Sequence, residues 1–150
     1  MSIAQFITLW THPNYAPEPV AESELEAAER QLGSRVPSDY RDAILEFGLP
    51  RPTSALLEAI VEQGLDVHDV SEFFSPLGMI EATNQWREAG LPKGLIAFAS
   101  DCMGNLFCFP ADTRCSDQQP VSFWNHDDHF VETVARSFTS WIEGYGSLAS

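Results

Sequence analysis

Residues 90–109 read GLPKGLIAFASDCMGNLFCF and residues 120–130 read PVSFWNHDDHF, and these two stretches constrain the fold more than any other part of the chain. An apolar run at 95–99 gives way to Asp101, Gly104 and Asn105, a second run reaches Phe109, and a third closes in a Trp-Asn-His-Asp-Asp loop. Short apolar runs bounded by turn residues read as strands. Segments 95–99, 105–109 and 121–124 therefore predict a β-meander with a polar rim, its first hairpin turning over 100–104.

Helical spacing flanks the meander. In 23–32, Ser23 followed by Glu26 has the form of a capping box, Leu25, Ala28 and Leu32 share one face, and Gly33 ends the helix. Glu22, Glu26 and Glu29 occupy the opposite face. A second helix is expected from Ser38 or Asp39, after Pro37, with Tyr40, Ile44, Leu45 and Phe47 inward, so that the two form a helical hairpin. Beyond Pro50 and Pro52, Thr53 or Ser54 can cap a third helix through Gln63. Val67, Val70, Phe73 and Phe74 suit either a short strand or an irregular packed loop, and 79–89 reads as helical. At the far end Val131, Val134, Ala135, Phe138, Ile142 and Tyr145 recur at helical spacing and predict a final helix. The expected class is α+β: an antiparallel β-sheet packed with an N-terminal helical hairpin and a C-terminal helix. At 150 residues the chain fits a single domain, 1–150, able to bury about 70% of its unfolded surface.

Charge narrows the partners. Eight Lys and Arg against 22 Asp and Glu give a net charge of −14, and both halves of the chain are acidic. Nucleic-acid affinity comes largely from Lys and Arg displacing counterions, so a phosphate backbone is repelled, and anionic membranes are disfavoured on the same ground. Such a field attracts cationic partners and speeds their encounter, although excess acid also serves solubility. The first 15 residues lack the pattern of a signal peptide, and no run of 18 apolar residues predicts a membrane span. Cys102, Cys108 and Cys115 are odd in number and lack a CxxC spacing, which suits free thiols in a reducing cytoplasm.

Four further patterns stand in order along the chain. Leu32-Gly33 precedes Pro37-Ser38-Asp39-Tyr40; Phe98-Ala99-Ser100-Asp101 precedes Gly104-Asn105; then come Val121-Ser122-Phe123-Trp124-Asn125-His126-Asp127, and Ala135-Arg136-Ser137-Phe138 with Trp141. In this order and spacing the chain resembles the SUKH superfamily, especially the branch named after a yeast cell-wall assembly regulator. The chain departs from the family where Pro110-Ala111 intervene before Asp112, and where 48–73 is more helical and Pro-punctuated. Many bacterial members are immunity proteins that bind and neutralise a toxin domain. The resemblance thus implies recognition of a cognate protein toxin, and the acidity fits a basic one such as a nuclease. Candidate contacts are Glu22, Glu26 and Glu29 on the first helix and Asp101, Asp127 and Asp128 around the meander rim. The yeast branch implies the alternative, a regulatory scaffold for endogenous proteins.

Chemistry is less well provided for. His126, Asp127, Asp128 and His129 offer ligand types for zinc, which would make a small metal-dependent hydrolase a third reading, but adjacent ligands on one loop seldom converge on one ion. The simpler reading has Asp127 or Asp128 capping the final helix, with neither metal nor other cofactor. Ser100 and Ser137 lack a nucleophile elbow, Cys102 sits in a turn without a helix N-terminus to lower its pKa, and no phosphate-binding glycine motif occurs. No catalytic residue is expected. Trp124 and Trp141 belong to the core, whereas Trp10 could pack in an extra segment or serve a partner.

Overall fold

The computed structural model describes residues 3–111 and 118–149. Its elements are α1 (Ile3–Trp10), α2 (Glu22–Leu32), α3 (Ser38–Phe47), α4 (Ala55–Gln63), β1 (Glu72–Phe73), α5 (Pro76–Arg87), β2 (Leu95–Ser100), β3 (Leu106–Pro110), β4 (Val121–Trp124), β5 (Val131–Ala135) and α6 (Phe138–Gly146), followed by a 3-10 turn at Ser147–Ala149. The five strands form one antiparallel sheet in the order β1-β2-β3-β4-β5. The fold is α+β as expected, with the three predicted strands at its centre. Cys115 and Asp112 lie outside the described residues.

Ile96, Ala97, Phe98 and Ala99 are all inaccessible, so β2 is buried on both faces, and both must be covered. On one side Phe98 stacks on Phe109 at 4.0 Å, and Tyr40 from α3 sets its ring edge-on to Phe98, Phe109 and Phe138 at 5.1–5.5 Å. Trp141 from α6 meets Phe98 and Phe107. On α5, Trp86 packs on Trp124, while Thr83 Oγ1 accepts the Ala97 N–H at 2.9 Å, where the register between β2 and β3 shifts. That bond satisfies a backbone donor at a bulge that would otherwise be buried unpaired. Phe98, Phe107, Phe109 and Phe138 share one core, as their pattern predicts.

The N-terminal segment is an additional helix, and its Trp10 is buried, the indole N–H donating to Tyr145 O at 3.1 Å. Several boundaries differ from expectation. Helix α2 starts one residue before Ser23, with Glu24 rather than Glu26 reaching back to the Ala21 N–H at 3.1 Å. Phe47 is exposed at the end of α3, Val67 is exposed in the loop before β1, and α5 begins at Pro76 behind a Ser75 cap.

Residues 131–137 depart furthest from the expected helix. Val131, Val134 and Ala135 do not belong to the final helix; they form edge strand β5, paired to β4 through Trp124↔Val131 and Phe123↔Glu132. Their helical spacing was overruled by β-branched residues at three of five positions and by a free sheet edge beside them. Helix α6 therefore begins at Phe138, and its cap is Ser137, whose Oγ accepts the Ser140 N–H at 3.0 Å, not Asp127 or Asp128. Ser137→Ala is expected to cost about 1 kcal/mol, while Asp127→Ala leaves the helix intact. Urea titration of both variants checks this, and equal losses would contradict the assignment.

Burial also sets a pH limit. It pushes the Tyr40 and Tyr145 phenols up from 10.0 and the Cys108 thiol up from 9.0. Each group stays protonated in the fold where the unfolded chain would ionise, so the stabilisation is complete below the ordinary thiol value and is lost as pH rises through the raised ones. Urea midpoints are expected to hold to about pH 9 and then fall steadily. A midpoint unchanged at about pH 11 would contradict this burial.

Candidate partner-binding surface

Three loops meet at one end of the sheet. In the β2–β3 turn, Asp101 Oδ1 accepts the Met103 and Asn105 N–H groups at 2.9 and 2.8 Å, and Oδ2 accepts Asn105 Nδ2 at 3.1 Å. Asn105 Oδ1 then accepts the His126 N–H at 3.1 Å, tying the β4–β5 loop to this turn. On the other side the Ser71 N–H donates to Ser100 O at 2.8 Å and the Cys102 N–H to Asp69 Oδ1 at 3.4 Å, which brings in the loop before β1.

The β4–β5 loop closes on itself. The Asn125 N–H donates to Phe130 O, the His129 N–H to Asn125 O, and Asp128 Oδ1 accepts the Phe130 N–H at 2.8 Å. His129 sits at φ 61°, and its ring stacks on Trp124. The same ring lies against Gly90, where a Cβ would come within 2.5 Å of His129 Cε1, and Gly90 itself has φ 117°. Only glycine fits both the space and the backbone there. The loop is thereby seated on the end of α5.

Charge and exposure single out this end. Segments 65–71, 101–105 and 125–132 contain Asp66, Asp69, Asp101, Asp127, Asp128 and Glu132 and no Lys or Arg. Among these acids the apolar side chains of Met103 and Phe130 stand 71% and 57% exposed, with Val67 and Val131 also uncovered. Aromatic and methionine side chains are enriched at interfaces, whereas single exposed apolar residues elsewhere need no explanation. The sequence reading missed Met103 and Phe130; a methionine inside an Asp-Gly turn was the available signal.

The sequence-predicted acids divide into two groups. Asp127 and Asp128 are exposed on the rim, but Asp101 is 7% exposed and its carboxylate is engaged by the turn. On α2, Glu29 bonds Arg41 Nη1 at 2.7 Å and the Val36 N–H at 2.9 Å, while Glu22 and Glu26 lie 3.6 Å from Arg41 Nη2. Arg30, Arg35 and Arg41 all line the shallow concavity beside Glu26 and Glu29. The α2 face is mixed in charge, and the rim is not.

The residues with reactive groups are held apart or suppressed. His126 packs on Trp86 and lies 3.4 Å from Asp127 Oδ1, whereas His129 packs on Trp124. Among the described residues no group of three or more His, Cys, Asp or Glu is gathered to hold a metal. Partial desolvation, then the carboxylates of Asp69 and Asp101, push the Cys102 thiol up, which disfavours the thiolate a nucleophile needs. Ser137 is spent on the α6 cap. Among the described residues no helix is long and apolar enough to cross a membrane.

No curated protein matches the chain. The SMI1/KNR4 family model (SUKH-1) matches residues 19–144, from the residues just before α2 to the last turns of α6, and the chain belongs to that family.

Proposed function

We propose that the chain is an immunity-type binding protein that neutralises a toxin effector by protein–protein contact, and that the effector is basic, as a nuclease domain would be. The observation that carries this reading is the rim: exposed Asp127 and Asp128 around Met103 and Phe130, on three segments without a Lys or Arg. Family membership supports the immunity role, since many bacterial members bind toxins. The mechanism is occlusion. Acidic residues steer a positive surface into contact, and the apolar pair then buries against it, denying nucleic acid the same surface. No catalytic step by this chain is required, and the free Cys102 and Cys108 suit a reducing cytosol.

The test is association kinetics with the product of the neighbouring gene, which this reading expects to carry a basic toxin domain. The on-rate is expected to fall steeply as ionic strength rises past physiological values, where screening acts over about 8 Å. A rate indifferent to salt would reduce the acidity to a solubility feature.

A further inference from the structure

Strand β5 is the end of the sheet, and among the described residues nothing pairs with its outer edge. The Asn125 N–H donating to Phe130 O fixes the alternation of the ladder, and Phe123↔Glu132 is then the next bonded pair. The N–H and C=O groups of Val131 and Thr133 consequently face outward. Exposed strand edges invite pairing and are usually blunted by Lys, Pro or a covering element. Here the outward residues are Val131 and Thr133, both exposed, and neither Pro nor Lys occurs in the strand.

Beside this edge runs a groove of about 380 Å³ between β5, α6 and residues 66–68. Among the described residues its acidic lining is Asp66 and Glu132, and none is Lys or Arg. Glu132 Oε1 lies 2.8 Å from His68 Nε2, and the His68 ring stacks on Phe123 at 3.6 Å while its carbonyl accepts the Tyr145 hydroxyl at 2.7 Å. The wall is thus braced. The nearest cation along the strand, Arg136, turns to Ser140 Oγ at 3.2 Å.

Resting on the reading that this chain binds a basic protein, we infer that an extended, Lys- or Arg-bearing segment of that partner adds to the sheet along β5. Main-chain bonds to Val131 and Thr133 supply the pairing, and alternate basic side chains reach Asp66 and Glu132. A second copy is a poor occupant, because two chains each at −14 would bring their Glu132 carboxylates together.

The experiment maps backbone amide shifts of the 15N-labelled full chain on adding a blocked peptide of alternating Lys and Val, or its Glu-Val counterpart. The Lys-Val peptide is expected to move Val131 and Thr133 most and to bind at least about tenfold tighter than the Glu-Val peptide. Thr133→Pro removes an outward donor, leaves the bonds to β4 intact, and should lose about tenfold in peptide affinity without a lower melting temperature. Should that variant unfold, the Asp66→Asn, Glu132→Gln double variant supplies the readout: the preference for Lys-Val over Glu-Val is expected to vanish. Shifts centred away from β5, equal affinity for the two peptides, a preference unchanged in the double variant, or a dimer whose contact shifts fall on β5 would each overturn the inference. Peptide docking on β5 without association of the neighbouring gene's product would leave this inference standing and remove the proposed function instead.

Discussion

Replacing Tyr40 with alanine is expected to lower stability by about 3–5 kcal/mol, in the range for buried aromatic side chains cut back to a methyl. Tyr40 is among the largest fully buried side chains and contacts Phe98, Phe109 and Phe138, so its loss opens a cavity where α3, the sheet and α6 meet. Among the described residues its hydroxyl meets only the Met79 Sδ, at 3.8 Å. Tyr40→Phe should therefore cost less than about 1 kcal/mol, because a thioether is a weak acceptor. The same variant removes one raised phenol, so its stability should decline less above about pH 10 than that of the parent. Urea titrations at neutral and alkaline pH measure both effects, and a Tyr40→Ala loss below about 1 kcal/mol would contradict the packing of α3 on the sheet.

The second large effect is on recognition. Asp127→Lys with Asp128→Lys places two positive charges on the rim and is expected to slow association with a basic partner by about tenfold or more at physiological salt. Among the described residues Asp127 contacts only its neighbours Asn125 and His126, but Asp128 also holds the Phe130 N–H, so Asp128→Asn is the control that keeps the loop bond and removes the charge. Reversing Glu22 and Glu26 should slow binding less, since Arg30, Arg35 and Arg41 already make that face mixed. Equal effects from the two faces, measured by stopped flow, would move the contact to α2.

The parts of the fold that could be read from residues are those where one pattern has one solution. Runs such as Ile96 to Ala99, closed by Asp101 and Gly104, have no helical alternative of adequate length, and the strands fell within a residue of prediction. Gly33 ended α2 in the left-handed conformation its position implies. Val131, Val134 and Ala135 fit helical spacing and not strand alternation, and they were drawn into the sheet by pairing with β4, a neighbour that local spacing does not contain. Helix α1 lacks caps and charges at its ends, so its sequence left open whether Trp10 packs.

The candidate surface was legible in kind but not in detail. Asp101 and Asp127 both lie in turn sequences rich in polar residues. They part company only because the Asp101 carboxylate faces two backbone N–H groups while that of Asp127 lies outside the loop. Glu29 shares the helix face of Glu22 and Glu26, yet the approach of α3 encloses it with Arg41. In each case tertiary contact, not residue type, decided which acids remain available to a partner.

The most direct measurement is protection of growth. If the neighbouring gene encodes the proposed toxin, cells producing its product should stop growing, and co-production of this chain should restore growth through an equimolar complex. The Asp127→Lys, Asp128→Lys variant, made to the same level, should restore little. Growth that stays arrested with the native chain present, with no complex recovered, would contradict the account.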